Sequence, residues 1–203
     1  METFGHSIMR TIPRLGPTPM LSHDPYRDHR AWSISAAVAE VGLDGDWVEF
    51  GVWQGDTARL LLDYLPAESE LVLLDSFDGL PEDWLPGFPA GTFAVDVPPA
   101  FSDERVRIVR GLFADTADAA LRGHDLALIH IDCDLYSSTV DALRSVGRLR
   151  AGTVILFDEY VHRIGGVTDD GEHRALTEWA ADTGHAFTYL WRTDHTQVAI
   201  RIE

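Results

Sequence analysis

Two short apolar runs in this chain end directly on carboxylates: Leu126–Ile131 is followed by Asp132, and Thr153–Phe157 by Asp158 and Glu159. An uninterrupted apolar stretch of this length reads as a buried strand, and strands buried on both faces belong to parallel sheets flanked by helices. In an open parallel α/β sheet, the carboxyl ends of neighbouring strands open onto one crevice. Asp132, Asp158 and Glu159 are therefore expected in one place, where their mutual repulsion requires something positive between them. A hard divalent cation such as Mg²⁺, which takes oxygen ligands, is the expected occupant.

The rest of the chain repeats the alternation. Trp47–Gly51, Leu71–Asp75, Val106–Val109, Leu126–Asp132 and Thr153–Asp158 read as strands. Between and around them, Asp28–Val41, Thr57–Tyr64, Ala114–Leu121, Ser137–Arg148 and Glu172–Asp182 read as helices, the first with its periodicity carried by Trp32, Ala36, Val38 and Ala39. Phe187–Trp191 and Gln197–Ile202 read as a closing hairpin. Strands alternating with helices and then two strands in succession predict an α/β fold: a mostly parallel sheet with one C-terminal antiparallel strand and helices on both faces. The 203 residues suit a single domain, with an N-terminal arm and helix over 1–45 and a core over 46–203. The stretch to about Leu21, with Pro13, Pro17 and Pro19, reads as a loose arm. The long Pro/Gly-rich segment from Gly79 to Pro99 carries Trp84, Phe88 and Phe93, which either cover a ligand or pack on the domain surface.

Composition removes several classes. With 16 basic against 33 acidic residues, the net charge of −17 repels nucleic acid, and no basic patch reverses it. All 16 basic residues are arginine, so the lysine of a phosphate-binding Walker loop and that of a pyridoxal-phosphate Schiff base are both missing. The single cysteine, Cys133, excludes a disulfide framework and a thiolate zinc cage. No apolar run is long enough to cross a bilayer, and Met1 to Met20 holds no apolar signal core. The expectation is a cytoplasmic protein with neither a membrane nor a nucleic-acid partner. Trp32, Trp53 and Trp179 fit either a core or an interface, which leaves a homo-oligomer open.

A second set of residues suggests a nucleoside ligand. Glu49, Gly51 and Gly55 lie at the turn after the first strand, where Gly51 lets backbone approach a ligand and Gly55 lets the helix pack on the strand. The spacing is not that of a pyrophosphate cradle, and an acid two residues before the glycine suits a cationic ligand. Asp75, ending the second strand, stands where an acid accepts both ribose hydroxyls of an adenosine group. After the third strand, Gly111 and Phe113 either hold an adenine or, with Asp115, serve as core and helix cap.

The segments VEFGVWQGDTARLL, LLDSFDGLPEDW, VRGLFADT, IHIDCDLYSSTVDAL and GTVILFDEY, in that order between Trp47 and Tyr160, resemble the macrocin O-methyltransferase (TylF-like) family. These are class I methyltransferases that move a methyl group from S-adenosyl-L-methionine to sugar or phenolic hydroxyls of natural products. The resemblance implies a Rossmann-like class I methyltransferase fold, with Glu49 and Gly51 near the methionine part of the cofactor and Asp75 on its ribose beside Ser76. It implies Asp132, Asp158 and Glu159 as ligands of a divalent metal, usually Mg²⁺, and a hydroxylated small molecule as acceptor. Glu159 stands where the family usually carries Asp, the segment after the second strand looks reduced, and the family's base histidine has no secure match.

Such a transfer requires a base. Asp134 is a candidate, with capping of the following helix as its alternative role. His162 follows the Asp158–Glu159 pair closely, and His173 opens the next helix. Cys133 suits a small buried filler. A nicotinamide oxidoreductase would account for Gly51 and Asp75 but not for three carboxylates at two strand ends. A non-catalytic module of the same fold would leave clustered carboxylates without a reason.

Overall fold

The computed structural model describes residues 4–19, 23 and 25–203; the end of the N-terminal arm, including Leu21, lies outside the described residues. Its helices are α1 (Phe4–Met9), α2 (Pro25–Glu40), α3 (Asp56–Tyr64), α4 (Phe113–Leu121), α5 (Tyr136–Ser145) and α6 (Gly171–Thr183). Its strands are β1 (Asp46–Phe50), β2 (Leu71–Asp75), β3 (Val106–Arg110), β4 (Leu126–Ile131), β5 (Val154–Phe157), β6 (His162–Ile164), β7 (Val167–Asp169), β8 (Phe187–Arg192) and β9 (Val198–Ile202). Seven strands form one sheet in the order β3-β2-β1-β4-β5-β9-β8, with β9 antiparallel to both neighbours. This is the mostly parallel sheet expected from the alternation of apolar runs and helical stretches.

Strand pleating sends alternate side chains to opposite faces. On one face Val48, Phe50, Val72, Leu74, Ile129, Ile131, Ile155 and Phe157 pack with α4, α5 and α6. On the other, Trp47, Leu71, Leu73, Leu128, Val154 and Leu156 pack with Ile34 and Ala37 of α2 and Ala58 and Leu61 of α3. By the same alternation Glu49 and His130, partners across β1 and β4, share the α2 face. The chain order reverses between β1 and β4, the switch point where a crevice forms outside the strand ends.

Three local readings change. Residues of the arm are docked: Ile12 is buried, Leu15 N–H donates to Arg192 O at 2.9 Å, Arg192 N–H donates to Pro13 O at 2.8 Å, and the Arg14 side chain pairs with Asp194. An unpaired sheet edge at β8 gives the arm backbone partners that its prolines conceal in the sequence. The inward stripe of α2 runs through Ser33, Ile34 and Ala37, while Ala39 is exposed and Ala36 and Val38 are only partly covered. The segment after β5 holds a small hairpin, β6–β7, turned by Gly165 and Gly166 at φ +59° and +82°. A Gly-Gly pair between short β-prone runs signals such a two-residue turn.

Gly51 carries the tightest constraint of the switch point. Its φ is +90°, and a Cβ there would stand 1.8 Å from the carbonyl oxygen of Asp132. Gly51→Ala is expected to lower unfolding free energy by at least about 3 kcal/mol in urea denaturation. Gly147→Ala, at φ +63° in open space, is expected to cost only about 1 kcal/mol.

Candidate active site

A cleft of about 1120 Å³ opens at the carboxyl ends of β1, β2, β3, β4 and β5. Gly51, Asp75, Ser76, Gly111, Phe113, Asp132, Asp134, Glu159 and His162 all line it. Asp158 and Glu49 do not, because both are buried behind the cleft wall.

Asp75 organises the end of the cleft beside the β1–α3 turn. Its Oδ2 accepts from the backbone N–H of Val52 at 2.7 Å and of Trp53 at 2.8 Å, and its Oδ1 accepts from Phe77 N–H at 2.7 Å. The carboxylate thus braces the β1–α3 turn, and Oδ1 keeps acceptor capacity for a ligand hydroxyl. Gly55 does not serve helix-on-strand packing as expected. A Cβ there would meet Pro99 at 3.0 Å and Phe101 at 3.2 Å, so the space is taken by the long loop. Phe113 packs edge-on against Phe50 with centroids 5.2 Å apart while still facing the cleft, and Asp115 lies within the first turn of α4 without capping it.

The acidic end comes together as expected: ligand oxygens of Asp132, Asp158 and Glu159 lie within 4.8 Å of one another. The sequence reading did not include Arg30. From α2, its Nη1 stands 2.9 Å from Asp132 Oδ2, and its Nη2 donates to Asp132 Oδ1 at 3.2 Å and to Asp158 Oδ2 at 3.0 Å. Gln197 Nε2 donates to Asp158 Oδ1 at 3.2 Å. Arg30 stands four and seven residues before Ile34 and Ala37, so it occupies the inward stripe of its helix. An arginine in that register was the available signal.

Burial raises Asp132, and Arg30 only partly counters it; at Asp158 burial is outweighed by Arg30 and His130, so that carboxylate stays below its ordinary value. Burial, reinforced by repulsion from neighbouring carboxylates, pushes Asp134, Glu159 and Glu172 well up. The cluster holds more carboxylate than Arg30 neutralises, and Glu159 Oε2 is buried with no hydrogen-bond partner. Oxygen donors, negative surplus and an unsatisfied buried oxygen fit a divalent cation.

Asp134 does not cap α5, whose N-cap is Leu135 with no side-chain bond; it sits in a left-handed conformation at φ +62° and faces the cleft. His162 lies in β6 with its ring 5.6 Å from Trp84, its Nδ1 buried without a partner, and its pKa lowered by burial. His173 is buried in α6 on the hydroxyl of Tyr160 at 2.8 Å, outside the cleft. Cys133 is a buried filler with its pKa raised by burial. Trp179 is core, stacked on His185 at 4.6 Å. Trp84, Phe88 and Phe93 all turn into the cleft, and Trp84 Nε1–H donates to Asp169 Oδ2 at 2.6 Å, tying the long loop to β7. No helix among the described residues is long and apolar enough to cross a membrane.

Behind Asp132 lies a buried pair that the motif reading did not include as a pair. His130 Nδ1 is 3.0 Å from Glu49 Oε1, and the two with Asp132 form a second group within 4.8 Å.

Comparison with known proteins places the chain among methyltransferases. Residues 100–184 match the family model described as macrocin-O-methyltransferase (TylF). The 8-demethyl-8-(2,3-dimethoxy-alpha-L-rhamnosyl)-tetracenomycin-C 4'-O-methyltransferase of Streptomyces olivaceus is 31% identical over 156 residues, covering 66% of this chain and 59% of the relative. The demethyldecarbamoylnovobiocin O-methyltransferase of Streptomyces niveus is 29% identical over 169 residues, covering 70% and 64%. The chain thus spans about three fifths of the length of these curated relatives. The apo structure of CalS11, a TDP-rhamnose 3'-O-methyltransferase of calicheamicin biosynthesis, superposes with a TM-score of 0.64 at 20% identity, over 92% of this chain and 88% of that one. The fold is that of the class I methyltransferases.

The buried pair generates a pH prediction. Burial, opposed by the hydrogen bond from His130, raises Glu49 from 4.5 to about 7. A carboxyl that is harder to ionise when folded holds an extra proton between those values, so its contribution to stability falls as pH rises through that window. Glu49→Gln removes this dependence. Between pH 4.5 and 7.5 the stability of the variant relative to the parent is expected to rise by up to about 3 kcal/mol, read from unfolding curves at each pH.

Proposed function

We propose that this chain, whose residues 100–184 match the macrocin-O-methyltransferase (TylF) family model, transfers a methyl group from S-adenosyl-L-methionine to a hydroxyl of a small natural-product molecule, with a divalent cation at Asp132, Asp158 and Glu159. The observation that carries the reading is one cleft holding both ends of such a reaction. The Gly51–Asp75 corner suits an adenosyl sulfonium, and the acidic trio suits a cation beside the acceptor. At about 1120 Å³ the cleft exceeds the roughly 300–1,000 Å³ of single-ligand pockets, leaving room for donor and acceptor together.

Asp75 and Ser76 are assigned to the ribose, Gly111 and Phe113 to the adenine, and the Gly51 backbone to the methionine portion. Glu49, behind the wall, acts on that portion through its field and through His130. Transfer is an in-line displacement in which the acceptor oxygen bonds the methyl carbon as the carbon–sulfur bond breaks, so placing the two reactants supplies much of the acceleration. The aromatic wall of Trp84, Phe88 and Phe93 packs against an apolar or sugar face and excludes water. Asp132, Asp158 and Glu159 would hold the cation, which when bound would supply Lewis-acid activation of an acceptor hydroxyl. His162, kept neutral by burial, is the base we assign to the hydroxyl proton, with Asp134, which also lines the cleft, as the alternative. Two adjacent hydroxyls suit such a site better than one.

Calorimetry and turnover test the assignment. Adenosylhomocysteine is expected to bind and NAD not to; the reverse would overturn the reading. Asp75→Ala is expected to weaken adenosylhomocysteine by about ten- to a hundredfold, the worth of a hydrogen bond to a charged group. His162→Ala is expected to lower turnover by about a hundredfold or more and to remove the acid limb of the pH–rate profile. His173→Ala is expected to lower thermal stability while leaving that limb in place.

A further inference from the structure

Arg30 raises a question that the assignment of Asp132, Asp158 and Glu159 to a cation does not answer. Its guanidinium holds both oxygens of Asp132 and Oδ2 of Asp158, and Gln197 holds the remaining Oδ1. All four oxygens of the two aspartates are thereby engaged by protein donors. Glu159 Oε2, on the third member, is buried without a hydrogen-bond partner. An ion shared by these three carboxylates needs oxygens that the arginine fork now occupies.

We propose that Arg30 is a built-in competitor of the divalent cation: it neutralises Asp132 and Asp158 when the ion is absent and leaves them when the ion binds. This rests on the metal reading given above. The geometry supplies the route, because Arg30 itself lines the cleft and its side chain is 19% exposed, so the guanidinium can swing outward without crossing the core. It also supplies a reason for the ion to win. A divalent charge replaces a single one in a cluster with surplus carboxylate, and it engages Glu159, which the guanidinium leaves unsatisfied. The exchange has a consequence beyond the acidic end. Nη1 of Arg30 also donates to Thr57 Oγ1 at 3.0 Å in the first turn of α3. Departure of Arg30 therefore releases a tie to the helix that follows the Gly51–Gly55 turn, so that ion occupancy and the donor end of the cleft become coupled through one side chain. An arginine holding the aspartates lowers apparent ion affinity by the fraction of molecules in which it has left.

The test is calorimetric titration of MgCl₂ into the full chain and into Arg30→Met, which keeps an unbranched stem and deletes the competing charge, with circular dichroism as the fold control. The variant is expected to bind Mg²⁺ at least about tenfold more tightly, since hydrogen bonds between charged groups are removed from the ion-free state. Equal or weaker binding by the variant would overturn the competition while leaving the metal assignment intact. No binding by either protein would overturn both. Should Arg30→Met fail to fold, the unmutated chain answers by nitrogen-15 NMR of its arginine side chains. The Arg30 resonance is expected to move on saturation with Mg²⁺, and an unchanged resonance with the ion demonstrably bound would overturn the proposal.

Discussion

Placing Asp132 and Asp158 side by side at the ends of adjacent buried strands is electrostatically unfavourable, and much of the surrounding architecture offsets that cost. Removing carboxylates from water raises the free energy of the charged form, and proximity adds repulsion. The chain responds with a guanidinium from α2, a carboxamide from Gln197 immediately before β9, and the imidazole of His130 behind Asp132. These three groups come from distant parts of the sequence and converge only because the sheet brings β4, β5 and β9 together. The antiparallel strand therefore does more than bridge β5 and β8, since the residue just before it donates to the acidic pair.

Pleat parity explains why α2 supplies the cation. Ile131 and Phe157, the last strand residues, face the α4–α6 layer, so the next side chains, Asp132 and Asp158, turn toward α2 and α3. Backbone ladder bonds persist one residue beyond each strand, with Asp132 N–H on Phe50 O at 2.9 Å and Asp158 N–H on Ile131 O at 3.0 Å, which keeps that alternation in force. Glu49 and His130 obey the same parity. A run of ionisable groups thus lies on one face of an otherwise apolar sheet, and α2 is the element packed over it.

The sheet was legible because buried parallel strands are written as continuous apolar runs, a local signal. The convergence of Asp75, Asp132, Asp158 and Glu159 was legible because strand ends share an edge. Arg30 was not, since helix periodicity was assigned to Trp32, Ala36, Val38 and Ala39, a frame that turns Arg30 toward solvent. Reading the stripe through Ile34 and Ala37 instead points Arg30 inward, and an inward arginine demands an acidic partner. The β6–β7 hairpin was missed despite its Gly-Gly turn, because strands of three residues carry too little alternation to stand out from a loop. The docking of the arm left no local trace at all: it depends on β8 having a free edge, a property of the assembled sheet.

The same hairpin makes sense of the long loop after β2. The segment closes on itself through backbone bonds such as Leu80 N–H to Thr92 O and Gly91 N–H to Leu80 O, both at 2.8 Å, but those bonds alone do not decide which surface its aromatic side chains meet. Trp84 is held by a hydrogen bond to Asp169 in β7 and an edge contact with His162 in β6, so the hairpin fixes where the loop comes to rest. Phe88 and Phe93 then follow Trp84, and Phe93 meets Trp53 on the opposite lip at 5.8 Å. The aromatic wall is therefore positioned from the acidic end of the cleft through the segment that follows Asp158 and Glu159. Any movement of that pair reaches the wall through only two residues of intervening chain, Tyr160 and Val161, which gives the acidic end a short mechanical path to the aromatic lining of the cleft.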